Sequence, residues 1–163
     1  GCRNVPVQRC STAPGGALTR VSSAATSHVA YAPLNDTGIS TLVTNVESAK
    51  AVPGLTEAGV SLDALGGAVA DVRNDATAFG HRSAMMTVQY TATFPDGADP
   101  APPDSYVHGF RAAMAPYWGY GAYVNYADAS IANWADAYFA GNAARLDQVR
   151  QQYDPHGLFT QPQ

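Results

Sequence analysis

The stretch from Ala84 to Phe94 alternates between apolar and polar side chains with a period of two. Its apolar positions are Met86, Val88, Tyr90 and Ala92, and the positions between them are mostly Thr and Gln. This pattern predicts a β-strand that buries one face and leaves the other outside the core. A strand of this kind needs a second layer on its apolar face only, so the chain is constrained to a sheet covered on one side.

A second alternating stretch lies earlier in the chain. Residues 60–64 place Ser61 and Asp63 on the polar side, which predicts another half-buried strand. A glycine pair then permits a bend, after which residues 68–72 are predicted to continue as a strand. One more short strand is predicted over residues 121–126.

Helical spacing marks the other periodic stretches. One apolar stripe consists of Ile39, Leu42, Val43 and Val46. It predicts a helix that Asp36 or Thr37 caps at its start. A proline-rich loop over residues 95–104 precedes a second predicted helix, which Asp104 caps, and two more helices are predicted between residues 131 and 153.

The first 37 residues show no clear periodicity and are predicted to be irregular and extended. The predicted order is therefore helix, two or three strands, helix, strand and helices. This order is neither a strict alternation of strands and helices nor an all-β run. It indicates an α+β fold in which an antiparallel sheet carries helices on one face.

The charge of the chain limits its partners. Nine Lys and Arg oppose thirteen Asp and Glu, a net charge of −4, and the basic residues do not cluster, so no nucleic acid is expected as a partner. No stretch approaches about 18 consecutive apolar residues, so no membrane partner is expected and the protein is predicted to be soluble. The compartment stays open, secretion included. Only 13% of the residues are charged, which favours a surface partly covered by another domain or chain.

Two cysteines, Cys2 and Cys10, lie near the start of the chain. Their spacing excludes a zinc site of the CxxC type and is compatible with either a disulfide or two thiols. The sequence contains no HExxH, phosphate-binding, dinucleotide-binding or serine-nucleophile motif, so no metal ligands are assigned.

Polar side chains on the predicted strands are the first candidates for a site. Ser61, Asp63, Thr87 and Gln89 share the polar side of the predicted sheet. This side is either a solvated face or the wall of a cavity that binds a ligand, with Ser61 and Thr87 as substrate-binding residues. A tyrosine-rich stretch, residues 117–126, contains Asn125 and is either packing structure or a second part of the site. His81 and Arg82 are either an ion-binding or catalytic pair or ordinary residues at a strand entry.

Several segments match one known family in their order and spacing. They are Gly66-Gly67-Ala68, Ala76 to Phe79 with His81-Arg82, Gln89-Tyr90, Gly121 to Asp128, Trp134 to Phe139, Gly141-Asn142, Arg145-Leu146, Val149, Tyr153-Asp154-Pro155 and Pro162-Gln163. Over roughly residues 20–163 the chain resembles the end of the berberine bridge enzyme-like FAD-linked oxidases. Its Ala-rich composition, with Lys50 as the only lysine, resembles that of actinobacterial members.

The resemblance implies that the chain is the C-terminal part of such an enzyme. Residues 1–20 would be an irregular N-terminal segment, residues 21–120 a portion of the substrate-binding domain, and residues 121–163 a C-terminal segment that completes the flavin site. The last helices would pack back on a flavin domain. The implied partner is an N-terminal flavin-binding chain or domain, which would hold most of the FAD.

The same resemblance implies roles for individual residues. Tyr126 corresponds to the general base of the family's carbohydrate oxidases, Asp63 to the carboxylate that assists it, and Gln89 to a position that faces the flavin and the substrate. Tyr123 and Asn125 correspond to residues that contact the flavin and line the pocket. The implied activity is oxidation of an alcohol or hemiacetal by hydride transfer to FAD, with O2 as the acceptor. The substrate would be a small-molecule alcohol, sugar or natural product, and the alternative is a non-catalytic substrate-domain fragment or binding module.

The predicted strand at residues 121–126 bears on which tyrosine is the base. A regular strand would place Tyr123 and Asn125 on one face and Tyr126 on the other. Tyr126 reaches the same site only if a bulge or the end of the strand falls at Asn125. The base is therefore Tyr126 if the strand is interrupted and Tyr123 if it is regular.

Overall fold

The computed structural model describes residues 2–160 as a small antiparallel sheet with helices. The strands are β1 (Val21–Ala30), β2 (Glu57–Ala64) and β3 (Met86–Pro95), and the helices are α1 (Asp36–Ser48), α2 (Ala101–Trp118), α3 (Trp134–Phe139) and α4 (Ala143–Tyr153). Strand β3 is central and pairs with β1 and β2 on its two sides. Pro162 and Gln163, the last part of the predicted C-terminal segment, lie outside the described residues. Within the described range, no helix is long and apolar enough to cross a membrane.

Helices α1 and α2 cover one face of the sheet, as the apolar side of β3 predicts. The buried residues of this core include Val88, Tyr90, Ala92 and Phe94 from β3 and Tyr106, Val107, Phe110, Met114 and Trp118 from α2. The ring centroids of Tyr90 and Phe110 lie 4.7 Å apart. The predicted α+β fold with helices on one face of the sheet is confirmed. Packing of the last helices on a flavin domain stays a prediction.

Strand β1 contradicts the predicted irregular conformation of the first 37 residues. Its Ser- and Ala-rich sequence shows no alternation because its second half is buried on both faces, and every residue from Thr26 to Ala30 is buried. Helix α2 packs on one side, and the segment that follows α2 contacts the other side through Tyr123. A strand enclosed in this way needs no polar face, so a period of two is absent.

The chain leaves β2 by a sharp turn and not by a continued strand. Gly66 and Gly67 have φ angles of 112° and 48°, a backbone conformation that favours glycine. A 3₁₀ turn over Gly67–Val69 follows, so the predicted strand at residues 68–72 is wrong.

Both predicted helix starts lie earlier than expected. Asn35 caps α1 in place of Asp36 or Thr37, and its side-chain oxygen accepts a hydrogen bond from the amide of Gly38 at 2.8 Å. Helix α2 begins at Ala101, inside the predicted loop, because two prolines occupy its first turn. Backbone N–H groups there have no helical partner, so proline is tolerated.

The apolar stripe predicted for α1 is only partly buried. Leu42 packs against the core, whereas Ile39, Val43 and Val46 are 48%, 50% and 37% exposed. Helix α1 packs on α2 and β2 through one side, so the rest of the stripe faces outward. The low charge of the chain thus coincides with apolar surface that this chain does not cover.

Cys2 and Cys10 form a disulfide, which decides between the two states that their spacing allows. Their Cα atoms lie 5.5 Å apart. The bridge closes a loop that contains the 3₁₀ turn Val7–Arg9.

Burial of His28 makes the stability of the chain depend on pH. His28 is fully buried, and its Nδ1 lies 2.8 Å from Oη of Tyr90. Burial, and next the positive charge of Arg111, lower the pKa of His28 from 6.5 to about 3. Between these values the unfolded chain binds a proton that the folded chain does not, so stability is complete above pH 6.5 and falls as the pH drops towards 3. We expect a loss of about 2 kcal/mol between pH 8 and pH 5, measured by urea unfolding.

The substitution His28→Gln removes this titration, so that variant should lose clearly less stability over the same pH range. His156→Gln, which removes an exposed imidazole, should follow the wild type. An identical pH dependence in His28→Gln and wild type would show that His28 is not the titrating group.

Candidate active site

The sheet face opposite α1 and α2 carries two polar rows. In one row Ser27, Gln89 and Ser61 lie side by side across β1, β3 and β2. In the next row Thr87 lies opposite Asp63. The four predicted site residues of the strands are therefore cross-strand neighbours on one face.

Tyr126 meets this face at Asp63. The phenolic hydroxyl of Tyr126 donates to Oδ2 of Asp63 at 3.4 Å, and the hydroxyl of Ser61 donates to the same oxygen at 3.4 Å. Both distances are at the long end of the range for hydrogen bonds. Burial, and next the negative charge of Asp63, raise the pKa of Tyr126. The phenol therefore stays protonated at neutral pH and points its proton at the carboxylate.

Tyr123 lies against Tyr126 but has different partners. The two rings meet edge to face, with centroids 5.2 Å apart and planes at 85°. On its other side Tyr123 meets Phe79 in the same way, at 5.9 Å. The hydroxyl of Tyr123 accepts a hydrogen bond from the side-chain amide of Asn125 at 2.8 Å. Of the two phenols, Tyr126 is thus the one that contacts a carboxylate.

The two tyrosines share one side because the backbone turns between them. The amide of Tyr126 donates to the carbonyl of Tyr123 at 2.9 Å, and residues 121–126 contain no strand. The strand predicted for this stretch is therefore wrong. A turn replaces the regular geometry that would have sent the two side chains to opposite faces.

These groups line an open cavity of about 450 Å³. Its lining contains the predicted site residues Asp63, Thr87, Tyr123 and Tyr126, together with Leu65, Val69, Phe79 and Arg82. Ser61 and Asn125 adjoin it through their hydrogen bonds to Asp63 and Tyr123. Gln89 is half-buried in the neighbouring row. The structure thus brings the seven predicted residues into one region, and their roles stay predictions.

His81 and Arg82, adjacent in sequence, have separate places. His81 is buried away from the cavity lining, and its Nε2 donates to the carbonyl of Ala137 at 2.9 Å. Arg82 lines the cavity, where its guanidinium carbon lies 5.1 Å from the ring centroid of Phe79 and its Nε donates to the Phe79 carbonyl at 3.1 Å. Phe79, Leu65 and Val69 carry no polar group, so only their place in the fold reveals them as lining residues.

The residues present fit one side of a flavin ring system and not a whole FAD molecule. The aromatic edges of Phe79, Tyr123 and Tyr126 offer contact surface, and the amide of Asn125 offers hydrogen-bonding groups. A diphosphate needs a glycine-rich loop or a helix N-terminus built for anions, and the sequence contains no such motif.

Several known proteins are similar to this chain in sequence or in fold. The family model described as Berberine and berberine like matches residues 122–163. The uncharacterized FAD-linked oxidoreductase YgaK of Bacillus subtilis (strain 168) is 32% identical over 127 residues, 78% of this chain and 27% of that protein. The chitooligosaccharide oxidase of Gibberella zeae is 30% identical over 115 residues, 64% of this chain and 23% of that protein. A solved glycopeptide hexose oxidase complexed with teicoplanin matches with a TM-score of 0.74 at 26% identity, over 91% of this chain and 32% of that one.

The fold and sequence of the chain are similar to those of FAD-linked oxidoreductases. Within that class the resemblance of the chain to the berberine bridge enzyme-like family is confirmed. It spans about a quarter of the length of the curated relatives it matches.

Proposed function

We propose that the chain forms the C-terminal, substrate-facing part of a flavin-dependent oxidase. The enzyme oxidises an alcohol or hemiacetal by hydride transfer to FAD, with O2 as the final acceptor. The observation that carries this proposal is the contact of 3.4 Å between the Tyr126 hydroxyl and the Asp63 carboxylate at the cavity. The similarity of the chain to FAD-linked oxidoreductases supports the choice of FAD.

Bound FAD would supply the hydride acceptor. The chain's own residues then have to remove the proton of the substrate hydroxyl. The raised pKa of Tyr126 makes its phenol acidic only at high pH, so the phenol needs a second group that takes its proton. Asp63 accepts the hydrogen bond from Tyr126, so the phenolic proton moves to Asp63 as the phenolic oxygen takes the proton of the substrate.

The other predicted residues divide between flavin and substrate. In this proposal Tyr123 and Asn125 contact the ring system, Gln89 faces both ring and substrate, and Ser61 and Thr87 bind the substrate. The proposed division assigns residues 1–20 to an N-terminal segment, residues 21–120 to the substrate-binding domain, and residues 121–163 to a C-terminal segment that completes the flavin site. An N-terminal flavin-binding chain or domain holds the rest of the FAD.

The side of β2 that carries Asp63 supports a hydroxyl-rich substrate. On the site-facing side of β2 the side chains are small and polar, since Gly59 precedes Ser61 and Asp63 in the same alternation. A Cβ at Gly59 would meet open space, so this position leaves room over the strand. Two of the relatives are named as oxidases of a chitooligosaccharide and of a glycopeptide hexose, which agrees with a sugar or sugar-bearing substrate.

Asp63→Asn tests the proton relay. In the flavin-loaded enzyme that contains this chain, we expect flavin reduction to slow by about 10- to 100-fold near neutral pH, because the amide cannot accept the phenolic proton. The rate should recover as the pH rises, since ionisation of Tyr126 then supplies the base. Anaerobic stopped-flow measurements across pH give both quantities. Asp71→Asn, which changes an exposed carboxylate outside the site, is the control, and a wild-type pH profile in Asp63→Asn contradicts the relay.

The chain alone should bind FAD weakly or not at all, because it lacks the groups that hold the diphosphate and adenine. A titration followed by flavin fluorescence measures this affinity. Saturation at low micromolar FAD would place the principal flavin site in this chain. Mixing the chain with a flavin-loaded N-terminal part of a family member should give a yellow, active complex, and an inert mixture would favour a non-catalytic binding module.

A further inference from the structure

The segment that carries Tyr126 wraps around the edge of β1. Thr26 and Ser27 are neighbours in β1, so their side chains point to opposite faces of the sheet, and both residues are fully buried. The hydroxyl of Thr26 donates to Oδ2 of Asp128 on the helix-covered face. On the cavity face the Ser27 hydroxyl accepts a hydrogen bond from the amide of Tyr123 at 3.0 Å.

Further contacts hold the residues just before this segment along the outer edge of β1. The amide of Val29 donates to the carbonyl of Gly121 at 2.9 Å. Arg111 of α2 donates from Nε to the carbonyl of Ser27 at 2.9 Å and from its Nη2 to the carbonyl of Tyr120 at 3.0 Å. These hydrogen bonds fix the direction in which the backbone approaches the cavity.

The other end of the segment that carries Tyr126 is held in place by hydrogen bonds at Asp128. The carboxylate of Asp128 also accepts a hydrogen bond from the amide of Ser130 at 2.8 Å and lies 3.2 Å from Nε2 of His108. The backbone amide of Asp128 donates to the hydroxyl of Tyr138 at 2.8 Å. Burial raises the pKa of Asp128, but hydrogen bonds from Ser130 and Thr26 outweigh it and hold the pKa below its ordinary value. Asp128 is thus an ionised, immobilised anchor two residues beyond Tyr126.

Tyr126 itself is only half-buried, and its side chain contacts Asp63 and the ring of Tyr123. Its place is therefore determined by the two ends of the turn that bears it. We propose that Thr26 and Ser27 are positioning residues that hold Tyr126 beside Asp63 by fixing the ends of the segment 123–128 on opposite faces of β1. The catalytic consequence of this positioning rests on the proposed function, whereas the positioning itself does not require flavin.

Fluorine NMR of the chain labelled with 3-fluorotyrosine tests the positioning directly. Tyr126→Phe assigns the Tyr126 resonance, and Tyr90, fully buried in the core, reports on the fold. In the wild type the Tyr126 resonance should titrate at higher pH than that of an ordinary labelled tyrosine. In Thr26→Val and in Ser27→Ala it should titrate in the ordinary range, because the phenol leaves Asp63. Thr26→Ser keeps the hydroxyl and should restore the wild-type titration.

Ser22→Ala is the matched control. Ser22 lies on the same face of β1 as Thr26, and its hydroxyl also donates to a carboxylate, Asp96, at 3.4 Å. Because Asp96 lies outside the wrapped segment, this variant should leave the Tyr126 titration unchanged. In the flavin-loaded enzyme, Thr26→Val should lower kcat by about tenfold and change KM by less than about twofold, since misplacement affects the reacting geometry more than binding.

A wild-type Tyr126 titration in both Thr26→Val and Ser27→Ala, with a native Tyr90 resonance, would overturn the proposal. If Thr26→Val does not fold, Ser27→Ala alone decides between the two outcomes. A different result is a Tyr126 titration that shifts in Thr26→Val and Ser27→Ala while the Tyr126→Phe enzyme keeps the wild-type rate. That result would support the positioning and reject the catalytic role of Tyr126. Failure of the positioning and failure of the proposed function are therefore distinguishable.

Discussion

Tyr126→Phe is expected to lower the rate of flavin reduction by about 10²- to 10⁴-fold in the flavin-loaded enzyme. The substitution removes only the phenolic oxygen that contacts Asp63 at 3.4 Å. The ring contact with Tyr123 and the turn that carries both tyrosines do not involve this oxygen, so folding and flavin colour should survive. Stopped-flow reduction under anaerobic conditions isolates this step from the reaction with oxygen.

Tyr123→Phe is the matched control for this experiment. It removes a phenolic oxygen from the same turn, but that oxygen is hydrogen-bonded to Asn125 and not to a carboxylate. The expected loss is less than about tenfold, because the proton relay stays intact. If Tyr123→Phe abolishes reduction while Tyr126→Phe reacts at the wild-type rate, the base is Tyr123 and the relay through Asp63 is wrong.

Phe110→Ala is expected to destabilise the chain by about 3 to 5 kcal/mol, because it removes a buried ring and leaves a cavity between α2 and the sheet. Phe110 is 1% exposed and packs on Tyr90 of β3 and on Tyr106 of its own helix, with centroids 4.7 and 6.0 Å away. Tyr90 follows Gln89 in β3, so the two side chains point to opposite faces of the sheet. The core around Phe110 therefore supports the site from the other face.

Urea unfolding measures the loss in Phe110→Ala. Phe159→Ala removes a ring that is 79% exposed and should change the stability by less than about 0.5 kcal/mol. A loss below about 1.5 kcal/mol in Phe110→Ala would mean that α2 does not depend on this ring for its packing.

The polar side of β2 and β3 was predictable from residue order. Alternation assigns Ser61, Asp63, Thr87 and Gln89 to one side, because successive residues of a strand point to opposite faces. Alternation contains no information on register, so the pairing of Thr87 with Asp63 became visible only in the sheet. The apolar lining residues Phe79 and Val69 were not predictable for a similar reason. Their side chains look like any packing residue until the fold places them beside the cavity.

Strand β1 shows how burial can hide an element from sequence analysis. Its residues Thr26 to Ala30 are enclosed on both faces, so the apolar and polar alternation that marks β3 is missing. In the sequence, Thr26 and Ser27 therefore look like residues of a polar loop. Their hydrogen bonds to Asp128 and Tyr123 span about a hundred residues of chain, a separation over which local patterns carry no signal.

Residue order alone revealed the resemblance to the berberine bridge enzyme-like family, because segments shared with known relatives keep their order and spacing. It also revealed that β2 and β3 each have one polar side, because a strand's side chains alternate with a period of two. The contact of Tyr126, and not Tyr123, with Asp63 could be seen only in the folded chain. That contact depends on a turn at residues 123–126 and on anchors supplied by β1 and α2. Hydrogen bonds between distant parts of the chain create this geometry, and the local propensity of residues 121–126 favours the strand that these bonds replace.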